Sequence, residues 1–402
     1  MSLNSIPSAE RIHIGFFGAR NAGKSSLVNA FTGQQLSVVS DVKGTTTDPV
    51  KKSMELLPIG PVVIIDTPGF DDEGILGALR VEKTREILFK TDIAVLVVDI
   101  QSGLCESDKK LISLFDELKV PYVTAYNKCD TTDASASLKD NEIFVSAKET
   151  INIDKLKKII SEFIKDKNKF RPLLDDILND GDLVVLVTPI DEAAPKGRII
   201  LPQQLVLRNI LDNNCSAIVC KETELESTLK MLNKAPSLVI TDSQVFSLVS
   251  KHLPENVKLT SFSIVMARYK GDLKELVKGA CALKHLSDGD KVLISEGCTH
   301  HRQCNDIGSV KMPTWIRNFT QKNIQFDFTS GGDFPGNLQE YKLVVHCGGC
   351  MLGEKEMNNR IDLCVKSSVP IVNYGVAIAM MNGILKRSVE VFQEVSDLIQ
   401  LT

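Results

Sequence analysis

Gly18-Ala-Arg-Asn-Ala-Gly23-Lys24-Ser25 is the stretch that most strongly indicates how the first part of this chain folds. The stretch fits the phosphate-loop pattern and stands between a predicted strand and a predicted helix. In such a loop the backbone N–H groups around Gly23 hold phosphates, Lys24 reaches the β and γ groups, and Ser25 binds Mg²⁺. The residues expected to contact the nucleotide phosphates are Gly18, Asn21, Ala22, Gly23, Lys24, Ser25 and Ser26.

Short β-rich runs alternate with helix-like stretches around this loop. Ile12–Phe17 precedes it, and Val62–Ile65, Ile93–Val98 and Tyr122–Ala125 follow it. Such alternation predicts βαβ units and a mostly parallel sheet. A charged amphipathic helix over Asn152–Lys167 closes the segment. The fold class of this part is therefore α/β.

Three further motifs follow apolar runs. Asp66-Thr-Pro-Gly69 has a carboxylate to hold Mg²⁺ through water and a glycine N–H to sense the γ-phosphate. In Asn127-Lys128-Cys129-Asp130, the last carboxylate accepts two adjacent donors of guanine, whereas adenine would leave it unpaired. Ser146-Ala147-Lys148 supplies a backbone N–H for the guanine oxygen. The motifs together predict a GTP site.

These motifs resemble those of translation-factor-class GTPases, most closely the TrmE- and Era-like branch with Gly44-Thr-Thr-Thr47-Asp48 in its first switch. The resemblance implies that Thr46 senses Mg²⁺ and that Asn21 binds a K⁺ ion in place of an arginine finger. Phe70 occupies the position of the water-orienting glutamine of Ras-like enzymes. Slow, K⁺-stimulated GTP hydrolysis is expected, and the catalytic residues are Lys24, Thr46, Asp66 and Gly69.

Composition restricts the class of protein. The chain has 402 residues, of which 43% are apolar and 24% charged, as in soluble multidomain proteins. Its net charge of −4, with basic and acidic residues interleaved, disfavours a nucleic-acid partner. We find no secretory signal and no apolar run of about 18 residues, so we expect no membrane contact and a cytoplasmic location. There the ten cysteines would stay reduced, which favours metal or redox chemistry over disulfides.

The strand pattern recurs twice beyond the first segment. The strands predicted in the middle segment are Leu183–Thr188, Ala217–Cys220, Ser237–Ile240 and Thr260–Met266, and those in the last segment are Lys291–Ser295, Ile324–Phe328, Leu343–His346 and Ile371–Tyr374. We predict a P-loop domain over residues 1–170 and two smaller α/β domains, with mostly parallel sheets, over 171–267 and 268–402. The middle domain carries no chemical motif, and its Gln203–Leu211 stretch is expected to be a core face or a dimer interface.

Two Cys/His stretches carry the chemistry of the last segment: Cys298-Thr-His300 and His346-Cys347-Gly-Gly-Cys350. Cys298 and Cys347 follow predicted strands, and such positions converge at one edge of an α/β sheet. The residue types fit an iron-sulfur cluster or a zinc site of three Cys and one His. A redox dithiol also fits Cys347 and Cys350, but would not need Cys298.

The whole arrangement resembles the HydF-type maturation GTPases of [FeFe]-hydrogenase, in which a GTPase domain and a motif-poor middle domain precede Cys-x-His and His-Cys-x-x-Cys. The resemblance implies a [4Fe-4S] cluster on Cys298, Cys347 and Cys350, with His300 and His346 as ligands or neighbours of the cluster. It also implies a homodimeric scaffold that receives a diiron subcluster, works with radical-SAM maturases and delivers its cargo to apo-[FeFe]-hydrogenase.

Two other functions stay open on the sequence. A K⁺-dependent GTPase of tRNA modification or ribosome assembly would use zinc as a structural staple and would need a basic RNA-binding surface. A redox sensor would change its rate of GTP hydrolysis with the oxidation state of a cluster. Metal content and the visible spectrum distinguish the zinc protein from the iron-sulfur proteins.

Overall fold

The structure is a computed structural model that describes residues 8–35, 49–70, 74–132, 137–167, 172–190, 199–297, 306–395 and 397–398. The chain forms two compact units, Met1–Phe170 and Arg171–Thr402. Each unit is built on largely parallel sheets flanked by helices, so the predicted α/β class is confirmed. Within the described ranges, no helix has the combination of length and hydrophobicity that a bilayer crossing requires.

The first unit contains a six-stranded sheet in the order β2-β3-β1-β4-β5-β6. Its strands are β1 Ile12–Phe17, β2 Val50–Leu56, β3 Gly60–Asp66, β4 Ile93–Asp99, β5 Tyr122–Asn127 and β6 Glu142–Phe144. Its helices are α1 Lys24–Thr32, α2 Gly74–Leu88, α3 Glu106–Glu117 and α4 Ile153–Lys167. Only the β2 and β3 pair is antiparallel among these described strands.

Hydrophobic clusters on both faces explain the apolar runs of this sheet. Ile14 and Val95 belong to one cluster, while Phe17 and Leu96 belong to the other. Strands buried on both faces lack polar alternation, as expected of a sheet covered by helices. The carboxyl ends of the parallel strands consequently meet at one edge, where the nucleotide motifs lie.

The second unit contains two four-stranded parallel sheets, in the orders β10-β9-β7-β8 and β12-β11-β13-β14. Their strands are β7 Leu183–Val187, β8 Ser216–Cys220, β9 Leu238–Thr241, β10 Lys258–Ser261, β11 Lys291–Glu296, β12 Gln325–Ser330, β13 Leu343–His346 and β14 Ile371–Asn373. The helices are α5 Leu201–Asp212, α6 Leu225–Met231, α7 Phe246–His252, α8 Phe262–Lys270, α9 Leu273–Cys281, α10 Met312–Thr320, α11 Glu354–Lys366, α12 Tyr374–Met381 and α13 Leu385–Val389.

One continuous hydrophobic core underlies both sheets of this unit, from Leu186 in β7 to Val345 in β13. The predicted boundary between residues 267 and 268 falls inside α8, which contributes Ile264 and Val265 to that core. The division of residues 171–402 into two domains stays a prediction.

The strand predicted over Thr260–Met266 is wrong. The chain is extended only as far as Ser261, whose Oγ accepts a hydrogen bond from the N–H of Ile264 at 3.2 Å and caps α8. The helix is buried almost all round, so its sequence shows no polar face. A short apolar run of this kind cannot be assigned to a helix or a strand by periodicity, and the serine cap is the local signal that was missed.

The end of β14 was also misassigned, by one residue. Tyr374 opens α12 and does not close the strand, because the Oδ1 of Asn373 accepts from the N–H of Val376 at 2.9 Å. This cap turns the chain at the same sheet edge that carries the Cys347 loop, since His346 and Asn373 pair in the register of β13 and β14.

Candidate nucleotide site and cysteine loop

The phosphate loop connects β1 to α1 and depends on glycine at two positions. Gly18 has φ +146, and a Cβ there would lie 2.2 Å from the backbone oxygen of Val97. Gly23 has φ +87, and its Cβ would lie 2.4 Å from Nδ2 of Asn127. Both positions exclude larger residues, because side-chain-bearing residues rarely adopt positive φ and the space is already filled.

Lys24 lies inside this loop and its ammonium holds the loop closed. Its Nζ donates to the carbonyl oxygens of Gly18 at 3.1 Å and Ala19 at 2.8 Å. Burial lowers its pKa from 10.5 to about 8, although the nearby carboxylates of Asp66 and Asp108 oppose that shift. If a phosphate replaced the two carbonyl oxygens as the partner of Lys24, its negative charge would raise the pKa of the lysine again.

Ser25 and Asp66 meet as expected of a Mg²⁺ site. The Oγ of Ser25 donates to Oδ2 of Asp66 at 2.7 Å. The other carboxylate oxygen, Oδ1 of Asp66, is buried and has no hydrogen-bond partner among the described residues. A buried carboxylate oxygen without a donor is costly unless a cation or water satisfies it, so the pair fits a hydrated Mg²⁺.

Asn127 joins three of the predicted motifs. Its Nδ2 donates to the oxygen of Ala22 at 3.0 Å, and its Oδ1 accepts from the N–H of Ala147 at 3.0 Å. The side chain is almost fully buried. It therefore ties the phosphate loop to the loop that is predicted to bind the guanine oxygen.

The other base-site residues lie around the same loops. Nζ of Lys128 donates to the oxygen of Asn21 at 3.2 Å and to Asp99 at 2.5 Å. Ser146 donates its Oγ hydrogen to Asp130 at 2.5 Å, and this bond lowers the pKa of the Asp130 carboxyl. The side chain of Lys148 is exposed, which fits a residue that contributes its backbone.

Four predicted residues of the phosphate loop and the switch regions have different outcomes. Thr46 lies outside the described residues. Asn21 is exposed and has φ +64, and its K⁺ role stays a prediction. Gly69 approaches the phosphate loop so closely that a Cβ would lie 3.0 Å from Cα of Arg20. Phe70 is buried in a hydrophobic cluster, so it has no polar group to orient water.

Asp108 is a residue that sequence reasoning missed. It lies in the first turn of α3, is almost fully buried, and its Oδ1 accepts from the N–H of Ala19 at 3.2 Å. Its Oδ2 accepts from the N–H and the thiol of Cys105. The available signal was an acidic residue in the first turn of a helix, a common capping position that does not by itself indicate a phosphate loop.

The cysteine loop follows β13 and its first sulfur is held by backbone donors. Sγ of Cys347 accepts from the N–H of Gly297 at 3.1 Å and from that of Gly349 at 3.4 Å. Gly349 has φ +63, the left-handed turn that aims its N–H back at the sulfur. Burial raises the pKa of the Cys347 thiol to about 11, while these two donors act in the opposite direction.

Lys270 fixes the second half of the loop. Its buried ammonium donates to the oxygens of Cys350 at 3.2 Å and Leu352 at 2.9 Å. Burial raises the pKa of the Cys350 thiol, and the charge of Lys270 partly offsets this effect. Lys270 is the last residue of α8. This helix, whose first half was predicted as a strand, therefore positions the cysteine loop.

Glu296 and Tyr374 form a buried polar pair next to Cys347. The hydroxyl of Tyr374 donates to Oε1 of Glu296 at 3.3 Å. Burial raises the pKa of Tyr374 well above 10.0, and negative charge on Cys347 would raise it further. A Cβ at Gly308 would lie 2.3 Å from both oxygens, so the backbone packs directly on the pair.

His346 is fully buried at the end of β13. Its Nδ1 lies 2.8 Å from the oxygen of Cys347 and its Nε2 lies 3.0 Å from a terminal nitrogen of Arg360. Burial lowers its pKa to about 3, and the charge of Arg360 acts in the same direction. The ring is therefore neutral at physiological pH.

Two predicted members of the metal site, Cys298 and His300, lie outside the described residues. Among the residues that are described, no group of three or more His, Cys, Asp or Glu side chains is placed to hold a metal ion. Of the three predicted cysteine ligands, Cys347 and Cys350 lie within the described residues. Gly297, which precedes Cys298 in the sequence, donates its N–H to Cys347.

Family models match three successive blocks of the chain. The hydrogen maturase F dimerization domain matches residues 173–271, and the hydrogen maturase F tetramerization domain matches residues 274–391. These two blocks together cover more than half of the chain. The chain belongs to the HydF family of hydrogen maturases. Ahead of the two HydF blocks, residues 13–128 match a GTPase model described as a 50S ribosome-binding GTPase.

The MnmE relatives of this HydF-family chain fit its GTPase domain. A tRNA modification GTPase MnmE of Desulforamulus reducens is 33% identical over 154 residues, which are 37% of this chain and 33% of that protein. A GTPase Der of Wolinella succinogenes is 39% identical over 122 residues, which are 30% of this chain and 26% of that protein. The chain thus spans about a third or less of the length of these relatives.

Solved structures similar to the chain include two GTPases. Era of Aquifex aeolicus bound to GDP and AlF4⁻ has 18% identity and a TM-score of 0.33, and the match covers 56% of this chain and 98% of that one. The G domain of FeoB from T. maritima has 22% identity and a TM-score of 0.30, with 39% of this chain and 99% of that one covered.

Proposed function

We propose that this HydF-family chain hydrolyses GTP in its first unit and holds a [4Fe-4S] cluster on Cys298, Cys347 and Cys350. In this proposal it acts as a cytoplasmic homodimeric scaffold. It receives the diiron subcluster precursor with the help of radical-SAM maturases and delivers it to apo-[FeFe]-hydrogenase. GTP hydrolysis, stimulated by K⁺, regulates these partner contacts. The two HydF domains behind a GTPase domain support the assignment.

The observation that carries the cluster proposal is the 3.1 Å hydrogen bond from the N–H of Gly297 to Sγ of Cys347. Gly297 directly precedes Cys298 in the sequence, so in this proposal the third cysteine is expected close to the loop after β13. Hydrogen bonds to the sulfurs and the degree of solvent exposure tune the reduction potential of protein iron-sulfur clusters. A cysteine sulfur with two N–H donors fits such a cluster ligand. Three thiolate ligands would leave one iron with an exchangeable ligand, where a second metal unit can attach.

In this proposal GTP is hydrolysed at the phosphate loop and the switch residues of the first unit. The phosphate-loop N–H groups and Lys24 hold the phosphates, while Ser25, Thr46 and Asp66 hold hydrated Mg²⁺. Because Phe70 is buried and apolar, no side chain takes the part of the Ras-type glutamine at that position, and slow turnover is expected. A K⁺ ion at Asn21 would supply the positive charge that an arginine finger supplies elsewhere.

Anaerobic purification and iron reconstitution of cysteine variants test the cluster. Wild type should contain about four irons per chain and absorb in the visible, whereas Cys298→Ala, Cys347→Ala and Cys350→Ala should lose both properties. Cys281→Ala is a matched control, because this partly buried cysteine lies in α9, outside the loop. A colourless wild-type protein with stoichiometric zinc would favour the structural zinc alternative, and a full iron complement in any of the three variants would refute the ligand set.

The regulatory part has a separate test. If GTP controls partner release, GTP with Mg²⁺ should weaken the binding of the radical-SAM maturases relative to GDP, because a ligand shifts a two-state protein only through its differential affinity for the states. Equal affinity in the two nucleotide states would contradict this role of the GTPase domain.

A further inference from the structure

Arg360 is a fully buried cation beneath the cysteine loop. One terminal nitrogen donates to the oxygen of Gly331 at 2.6 Å and to Oε1 of Glu356 at 2.8 Å. The other donates to Oγ of Ser295 at 3.3 Å and lies 3.0 Å from Nε2 of His346. The ring of Phe334 stacks 5.0 Å from the guanidinium carbon. These contacts hold the guanidinium in one orientation.

The arginine determines where the hydrogen of His346 lies. A guanidinium can only donate, so Nε2 of the ring must accept and has no hydrogen. The single hydrogen of the neutral ring is then on Nδ1, which donates to the oxygen of Cys347 at 2.8 Å. The lone pair of Nε2 therefore faces Arg360, and Nδ1, which carries the hydrogen, has no lone pair that could bind a metal.

The backbone holds this arrangement in place. His346 pairs with Ser295 of β11 on one side and Asn373 of β14 on the other. The N–H of Cys347 donates to the oxygen of Ser295 at 2.9 Å. These pairings fix the backbone of His346, and the hydrogen bonds of its two ring nitrogens fix the orientation of the ring.

We infer that His346 is not an iron ligand but a positioning residue: held by Arg360, it orients the Cys347 peptide, and thereby the cysteine ligand, through the hydrogen bond from Nδ1. This inference rests on the cluster proposed above and removes His346 from its ligand set. It also assigns a role to Arg360, Glu356 and Phe334, which no sequence motif indicated.

The test uses the full chain reconstituted anaerobically, with two substitutions of different hydrogen-bonding capacity. His346→Asn places an amide N–H close to the position of Nδ1 and keeps the donor to Cys347, whereas His346→Leu removes it. We expect His346→Asn to keep the iron content and the electron paramagnetic resonance spectrum of the wild type. His346→Leu should lose iron to a chelator about tenfold faster or more, as is typical when a residue that orients a ligand is removed.

Nitrogen hyperfine spectroscopy gives a readout that a purely structural role would not change. Any strong histidine ¹⁴N coupling to the wild-type cluster should persist in His346→Asn. Loss of such a coupling in His346→Asn would show ligation by His346 and overturn the inference. Equal chelator resistance of His346→Leu and wild type would overturn the positioning role.

The arginine provides an independent variant. Arg360→Met should reproduce the faster iron loss of His346→Leu. If the only effect of Arg360 were to keep a ligating His346 ring away from iron, Arg360→Met should create a new ¹⁴N coupling to the cluster. Such a coupling would contradict the inference. Fluorescence of Trp315, the single tryptophan of the chain, verifies that this unit stays folded. If wild type itself takes up no cluster, the proposed function fails, whereas a normal wild-type cluster with the contrary variant results refutes only the role of His346.

Discussion

The backbone N–H of Gly297 donates to Sγ of Cys347 across 3.1 Å, although the two residues are 50 positions apart in the chain. Gly297 follows β11 and Cys347 follows β13, and these strands are adjacent and parallel. Their carboxyl ends therefore converge at one sheet edge. This bond holds the end of β11, the strand that precedes Cys298 in the sequence, next to the cysteine loop of the proposed site.

Gly297→Ala should impair the cysteine loop without removing a ligand. A Cβ at this position would lie 2.6 Å from Cγ of Leu352, so the loop or the Gly297 N–H has to move. We expect a several-fold loss of iron after reconstitution, measured by iron analysis and visible absorption. The double variant Gly297→Ala with Leu352→Ala should regain iron, and Leu352→Ala alone serves as control. Failure of the double variant to recover would contradict the steric explanation.

Nucleotide affinity should depend on pH through Lys24. Its pKa is lowered to about 8 without nucleotide, and bound phosphates should raise it. Below pH 8 the ammonium is charged in both states and affinity is flat. Above pH 8 the free protein has lost the proton that binding must restore, so affinity should fall by up to about tenfold per pH unit.

Calorimetry of GTP binding between pH 7 and 9, in buffers of different ionisation enthalpy, measures the proton uptake expected above pH 8. In the Lys24→Arg variant the side chain stays charged throughout this pH range. This variant should therefore show no proton uptake and no change of GTP affinity with pH, whether it binds GTP more or less tightly than wild type. Proton uptake that is equal in wild type and Lys24→Arg would assign the effect to another group.

The K⁺ response of GTP hydrolysis should require the side chain of Asn21. We expect KCl to raise the rate over NaCl by at least about tenfold, since an arginine finger contributes about 10³–10⁵. Asn21 has φ +64, so Asn21→Gly removes the side chain without backbone strain and should abolish the response. Asn21→Asp retains an oxygen ligand and should preserve it. Equal rates in Na⁺ and K⁺ would exclude a K⁺ role.

Asp108→Asn should weaken GTP binding although Asp108 belongs to no nucleotide motif. The buried carboxylate accepts from the N–H of Ala19 and from Cys105. An amide leaves one of these donors facing another donor, at a cost of about 1–3 kcal/mol. If this cost falls on the nucleotide-bound state, GTP affinity drops by roughly 5- to 150-fold. Asp116→Asn removes a charge from the exposed face of the same helix and is the control. Equal GTP affinities of the two variants would show that the contact does not support the loop.

Most of the nucleotide site was predictable because its determinants are local. The glycines of the phosphate loop, the strand before Asp66 and the strand before Asn127 are short-range patterns, and each restricts its own backbone. By contrast, the apolar run after Ser261 could be helix or strand on its periodicity, and its helical form depends on burial on all sides. That run ends in Lys270, so the error also concealed how the cysteine loop is held.

The amino-acid sequence was enough to predict the order of the motifs and the kinds of atoms they offer: phosphate-binding N–H groups, a guanine-selecting carboxylate, and thiols and imidazoles for a metal site. Which of those atoms are already used in hydrogen bonds within the protein depends on long-range packing. His346 looked like a candidate ligand, yet Arg360, 14 residues away on α11, accounts for its lone pair. The physical reason is that residue type sets hydrogen-bonding capacity, whereas the neighbours brought together by folding determine how that capacity is used.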